Sequence, residues 1–562
     1  MPSLGDTSSP YIAQCLYIIQ NLGDVKSIVL LSDVPSADVL MQTLFEQCFD
    51  LLSGTSRSDN GESLSKNVEY RLTALLIALV DEGSSLPTEV IEVILAQFLR
   101  ADIRSLGRLT GNSKKSNQID ERQTTLLLKE APPAYNMSKN ICNTCADKMA
   151  RYVGIFFSSI IVEVASSLAK SSSHKQNRMA LANDPLEENA SAGPSEEELL
   201  ESRKAHTLLR ELWRAAPDVL ENTIPQLESE LSSDNLDLRL LATETVGDMI
   251  SGIGAAGPPP ASQLNPSAFP SQSLEPRQDT SETYDFLTTP NSPYSFSSLY
   301  SHAFQSFLSR KNDKSPQIRC AWVTSIGRIV ATSAGGVGLD SEDEKRLLKA
   351  FSEMLVDADE KVRLAAIIAI GNFHFRDIVQ KLGKTGSVNT SGSILCNLAD
   401  RVKDRKSAVR VEATKLLAKM WGVAAGALAA GDEDVSALLS QIPSRIFEAY
   451  YINDLEINIL INNVLFECLL PLGYPSIKAK SGSKSSGTNE PAGDSQEPSS
   501  QALEVDAHKM RAERILLLVR DLEPKAKKVF FSKQRDQATA AKYMVAFVKR
   551  CEEFNVRYPF FI

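Results

Sequence analysis

Five histidines, one C-x-x-C pair and one glycine-rich run are the places where this 562-residue chain could do chemistry. The histidines are His174, His206, His302, His374 and His508, and none has the H-E-x-x-H spacing that sets two imidazoles on one helix face for zinc. His374 lies between Phe373 and Phe375 and is expected as a packed core or boundary residue, whereas His206, in a helix beside Lys204, is expected at the surface. Cys142 and Cys145 would need two more ligands at suitable spacing to close a zinc site, and none lies nearby. A redox pair would sit where a strand meets a helix, but the flanking Ala146-Asp147-Lys148-Met149 is helical in character, so both cysteines are expected to be structural. Gly252-Ile253-Gly254-Ala255-Ala256-Gly257 has the spacing of a dinucleotide loop, yet it follows a helix and runs into Pro258-Pro259-Pro260, the context of a helix C-terminus. With no phosphate-binding loop and no nucleophile elbow, no catalytic, cofactor or metal residue is assigned, and the chain is expected to be non-enzymatic.

Charge offers two further candidates. One basic cluster is Arg401, Lys403, Arg405, Lys406 and Arg410, continuing to Lys415 and Lys419; the other is Lys525, Lys527 and Lys528 with Lys533 and Arg535. Each is either a solvated helix face or a site for an anion or acidic partner, and the second could instead serve nuclear import. The net charge of −10 argues against free duplex DNA as the obvious partner. No apolar run approaches the ~18–20 residues that cross a bilayer. The best stretch, Ile155 to Val164, contains Ser158, Ser159 and Glu163, so no membrane association is expected. Eight scattered cysteines fit reduced, mostly buried thiols of an intracellular protein.

The elements that carry these residues are helical. Alternation with a period of two is almost absent, and apolar residues recur at helical spacing, as at Leu347, Leu348, Phe351, Met354 and Leu355. Alignment on Arg239, Arg319, Arg363 and Arg410 exposes an internal repeat. The residue before each arginine is apolar: Leu238, Ile318, Val362, Val409. Three residues after come Ala242, Trp322, Ala366 and Ala413; seven after come Val246, Ile326, Ile370 and Leu417. The eighth is small (Gly247, Gly327, Gly371, Ala418) and the tenth apolar again (Met249, Ile329, Phe373, Met420). These offsets trace one inward helical stripe, with a small residue where a neighbouring helix could approach. Asp313, Asp357 and Asp404 lie six residues before the last three arginines, where they could cap orphan amides, and each arginine is expected to reach back to a neighbouring carboxylate. Spacings of 80, 44 and 47 residues fit helix pairs of the HEAT or armadillo period, the first enlarged or doubled.

The expected fold is therefore all-α, a HEAT/armadillo-like helical-repeat solenoid with disordered loop insertions. Helical repeats are expected over 1–170, 196–256, 294–477 and 504–562, separated by polar or Pro/Ser-rich stretches at 171–195, 257–293 and 478–503 that lack the apolar residues to offset ordering entropy. An amphipathic helix at Tyr11 to Leu22 starts almost at once, and the chain stops at Tyr558-Pro559-Phe560-Phe561-Ile562; without polar caps at either end, a fragment of a longer solenoid is expected.

Several motifs in order resemble a known family. Pro133-Ala134-Tyr135-Asn136-Met137-Ser138-Lys139-Asn140-Ile141-Cys142, Cys145 through Tyr152, and Arg210-Glu211-Leu212-Trp213-Arg214-Ala215 are similar to segments of the cohesin-associated regulators of sister-chromatid cohesion, the precocious-dissociation-of-sisters family. So are Ile224-Pro225-Gln226-Leu227-Glu228, Leu240 through Met249, and Arg410-Val411-Glu412-Ala413. The resemblance implies a hook-shaped repeat scaffold that binds the cohesin kleisin subunit, with the Wings-apart-like releasing factor and the cohesin acetyltransferase as further partners. It also implies a nuclear, chromosome-associated protein that regulates cohesion and cohesin release without an active site. The family's repeats before Tyr11, its Ala-Pro-Asp motif and its C-terminal repeats have no counterpart, and Ala216-Pro217-Asp218 stands in a different helix context. The alternative is a generic HEAT/armadillo adaptor of the transport or phosphatase-scaffold kind, which would account for the repeat but not for the ordered motifs.

Overall fold

The computed structural model describes residues 88–99, 133–161, 196–253, 264–268, 294–334, 337–473 and 507–557, with part of 73–80. The expected helix at Tyr11 to Leu22, the stretches 171–195 and 478–503, and most of 257–293 lie outside these residues. Every regular element among the described residues is helical. The chain forms two compact units, one of residues 1–260 with 277–344 and the other of 261–276 with 345–562.

The first unit contains α1 (Thr88–Leu99), α2 (Pro133–Thr144), α3 (Glu196–Ala215), α4 (Ile224–Leu231), α5 (Leu236–Ile250), α6 (Ser301–Ser309) and α7 (Pro316–Thr332), with a further helical stretch over 146–161. The unit boundary falls within α8 (Ser341–Met354). The second unit continues with α9 (Glu360–Gly371), α10 (Ile394–Asp400), α11 (Ser407–Ala430), α12 (Glu433–Leu439), α13 (Ile442–Glu448), α14 (Leu455–Val464), α15 (Ala507–Asp521) and α16 (Pro524–Arg557).

The four aligned arginines fall on α5, α7, α9 and α11, each the second helix of a pair. Their stripes are the core: Leu238, Ala242, Val246 and Met249 are buried, as are Ile318, Trp322, Ile326 and Ile329 and the matching residues of α9 and α11. The helix starts share one device. The residue four before the arginine is the N-cap, and Asn235, Ser315 and Asp359 each accept an amide from the first turn. In the fourth copy this place is Lys406, which makes no side-chain cap. The conspicuous aspartate two places earlier is not this N-cap, but it takes up an orphan amide as expected: Asp313, Asp357 and Asp404 accept the amides of the N-cap residues Ser315, Asp359 and Lys406 at 2.9, 2.7 and 3.0 Å.

Gly247 shows what the small position does. A Cβ there would lie 2.3 Å from Cβ of Ser325, so α5 and α7 can meet closely only because the side chain is absent. The Pro/Ser-rich stretch 257–293 differs from its expectation at 264–268, where Leu264 and Ala268 are buried in the second unit. Low average hydrophobicity hid a short apolar anchor inside a polar segment.

Candidate partner-binding surface

The repeat arginines act as staples, and they reach forward rather than back. Arg363 grips Asp404 of the next pair with a two-pronged fork, Nε to Oδ2 at 2.8 Å and Nη2 to Oδ1 at 2.9 Å. Arg239 grips Asp313 likewise at 3.0 and 3.3 Å. The third nitrogen closes the arginine's own turn. Nη1 of Arg319, Arg363 and Arg410 donates to the carbonyl six residues back, that of Asp313, Asp357 and Asp404, at 2.8, 2.8 and 3.0 Å. The direction follows from side-chain geometry: near a helix start a long side chain leans toward the N-terminal turn, and the next pair presents its aspartate there. Burial works against charge on Asp404, but the Arg363 fork and the Lys406 amide outweigh it and hold its pKa below the ordinary carboxylate value. In return the Asp404 hydrogen bonds raise that of Arg363.

The sequence alignment stops at Arg410, but the structure adds a fifth pair, α13 and α14. Ile457, Ile461 and Leu465 continue the buried stripe, while Asn458 stands where the arginine would be. The carboxylate place six residues before it is Ile452, so Arg410 turns to Glu456 at 3.0 Å instead. An alignment anchored on arginine could not find this copy; one anchored on the N-cap, here Asp454, could have.

The basic cluster does not stand as an open anion site. Arg401 pairs with Asp404 at 3.0 Å, Lys403 with Glu448 at 3.3 Å, and Lys406 with Glu360 at 2.7 Å. Of its five members, Arg405 alone has no carboxylate partner among the described residues. The second cluster is partly absorbed as well: Lys533 is buried with its ammonium 5.2 Å from the Tyr450 ring centre.

The remaining candidates for chemistry lie in the following surroundings. His206 is fully buried, a departure from the surface place expected of it; it meets Thr245 Oγ1 at 3.0 Å and Glu230 at 3.3 Å. A helical neighbour such as Lys204 says nothing about the opposite face, and His206 lies on that buried face. His374 is exposed at the N-cap of the short helix Phe375–Gln380, not packed with its flanking phenylalanines, because adjacent residues at a turn point apart. Cys142 and Cys145 are buried, and burial raises the Cys142 thiol well above its ordinary value. No cluster of metal-ligating side chains occurs among the described residues. Tyr135, Glu211 and Arg214 form a buried triad that locks α2 onto α3. Burial opposes the charge on Arg214, and Glu211 outweighs it.

What the second unit does expose is an apolar ledge. Tyr451, Ile452, Leu455 and Ile459 run along the turn before α14 and its outer face, and Leu455 is 75% exposed. Asn453, in the left-handed region at φ 61°, reverses the chain and turns Tyr451 outward, where its hydroxyl donates to the Lys525 carbonyl at 3.0 Å. Contiguous exposed aromatic and aliphatic residues are the usual signature of a protein-binding face.

Comparison with known proteins gives these features a family context. A family model described as sister chromatid cohesion protein PDS5 matches residues 1–558. The chain is 25% identical over 470 residues to the sister chromatid cohesion protein pds5 of Schizosaccharomyces pombe, covering 84% of this chain and 31% of that one. It is 24% identical over 470 residues to PDS5 of Saccharomyces cerevisiae, covering 83% and 29%. For the human PDS5 homolog B the identity is 19% over 471 residues, covering 84% and 24%. The chain thus spans less than a third of the length of these relatives. Among solved structures, a chain from a Pds5–Scc1 complex superposes with a TM-score of 0.56 at 22% identity, covering 94% of this chain and 60% of that one. That likeness establishes the fold as an all-α helical-repeat solenoid of the HEAT kind.

Proposed function

The chain belongs to the PDS5 family of sister chromatid cohesion proteins, and on that premise we propose that it is a non-enzymatic scaffold that binds the kleisin subunit of cohesin and regulates sister-chromatid cohesion and cohesin release. The observation that carries this reading is the continuous family match over residues 1–558. The solved relative in complex with Scc1 supplies the class of partner. Two features of the molecule support it: four of the five residues Arg401, Lys403, Arg405, Lys406 and Arg410 are taken up by internal ion pairs, and the second unit offers an exposed apolar ledge around Tyr451 and Leu455. A scaffold of this kind acts by differential binding, so the Wings-apart-like releasing factor and the cohesin acetyltransferase are further proposed partners. Cohesin would then bring the chain to chromosomes in the nucleus.

The test is capture of the purified kleisin by the purified chain. Binding at micromolar protein is expected, and joint replacement Tyr451→Ala with Leu455→Asp should weaken it about tenfold or more, as loss of a central apolar contact does. Absence of capture at that concentration would remove the cohesin reading; capture indifferent to the double replacement would move the contact off the ledge.

A further inference from the structure

We propose that the groove between α9 and α11 in the second unit is a docking site for an extended acidic segment of a partner protein, one that places an aliphatic side chain beside a carboxylate. The groove holds about 530 Å³, within the usual range of ligand clefts. Such a site is independent of the cohesin reading, because it depends only on this groove and its charges.

One wall is a fixed piece of an otherwise polar stretch. Leu264 and Ala268 anchor it, and the largely buried Arg514 donates to the Pro266 carbonyl at 2.6 Å. Behind it, Gly422 approaches so closely that a Cβ there would lie 2.5 Å from Cβ of Pro266. The wall therefore stands pre-formed, and a ligand need not order it.

The floor is open for a reason visible in the repeat. At Gly247 the small residue lets two helices close on each other; at the equivalent Gly371 an added Cβ would meet only Cδ1 of Leu416, at 3.8 Å. Beside it, Ile368 is 52% exposed. The equivalent places, five residues after the repeat arginine, hold Glu244, Thr324 and Lys415. An isoleucine in a polar row, next to an unfilled floor, leaves apolar surface that only a ligand can cover.

The rim supplies the charge. Lys415 and Lys419 lie one turn apart on α11, and neither has a carboxylate partner among the described residues. The matching row of the first unit is satisfied internally, with Asp248 held by Arg328 at 2.6 Å and Arg210 at 3.2 Å. Among the described residues the only carboxylate lining this groove is Glu412, at one end of the row, so the Lys415–Lys419 end keeps the positive excess. Two ammonium groups above an aliphatic floor suit a carboxylate next to an aliphatic side chain. Nucleic acid fits less well, because among the described residues no aromatic side chain lines the groove to stack a base.

The test is selection of a random phage-displayed peptide library on the intact chain, followed by fluorescence anisotropy with the enriched peptides. The expected peptides carry Asp or Glu adjacent to Leu, Ile or Val. Their affinity should fall about tenfold or more in Gly371→Phe, which fills the floor, and in the pair Lys415→Glu with Lys419→Glu. Gly371→Ala should bind as the parent does, and cooperative circular-dichroism melts well above the assay temperature would show that each variant folds. Enrichment without acidic residues, affinity indifferent to Gly371→Phe, displacement by duplex DNA, or a library that yields no binder would each overturn the proposal.

Discussion

Asp404 receives the Arg363 fork from one pair, Arg401 from its own helix end and the Lys406 amide from the following turn. Such a buried carboxylate is stabilising only while all its donors face it. Removing it in Asp404→Ala strands a guanidinium that is only 10% exposed, and thermal or urea unfolding should show a loss of about 3 kcal/mol. Removal of Lys406, whose pair with Glu360 is largely solvated, should leave the melting temperature unchanged. The pH dependence has a definite sign. The folded pKa of Asp404 is depressed, so the unfolded chain binds its proton more readily. The contribution is complete above the unfolded value of about 3.9 and is lost as pH falls through the lower folded value. Melting temperatures taken from neutral pH into acid should fall less steeply for Asp404→Asn than for the parent; parallel curves would show that Asp404 is not held as described.

At the scale of the helix, the eighth position after the arginine has two outcomes from one residue type. Gly247 allows α5 to touch α7, so Gly247→Ala should cost about 1–3 kcal/mol through overpacking. Gly371→Ala adds a methyl in ordinary contact and gains helix propensity, so it should be neutral or stabilising by about 0.5–1 kcal/mol. Chemical denaturation of the two variants side by side checks both; equal losses would mean that the small residue plays the same role in each pair. The period of the repeat and its buried stripe were legible from the alignment of Leu238, Ile318, Val362 and Val409 and their followers, because burial imposes a period on sequence. The partner of each arginine was not legible. Arg363 could have met any carboxylate within reach, and only the stacking of α9 beside α11 delivers Asp404. The burial of His206 was not legible for the same reason, since its partner Glu230 comes from α4 and Thr245 from α5.

For the whole molecule, 70 acidic against 60 basic residues set the kind of partner it can hold. Cations of the aligned repeats are largely spent on carboxylates of the same chain, so few remain to displace counterions from a duplex. An electrophoretic mobility assay at physiological salt and micromolar protein should show no shift of a duplex DNA. A shift would mean that basic surface gathers somewhere the net charge conceals. Capture of a protein partner is compatible with the same charge, because apolar contact on a ledge or in a groove does not depend on the overall field.

Sequence by itself determined the helical class, the period of the pairs, the family and the lack of any recognisable catalytic motif, since each of these is written in residue type and spacing along one chain. Tertiary structure decided which charges are spent and which are free, where Gly371 leaves a groove instead of a contact, and which apolar residues stay in water. Those are relations between residues far apart in sequence, and they exist only once one helix pair has packed on the next.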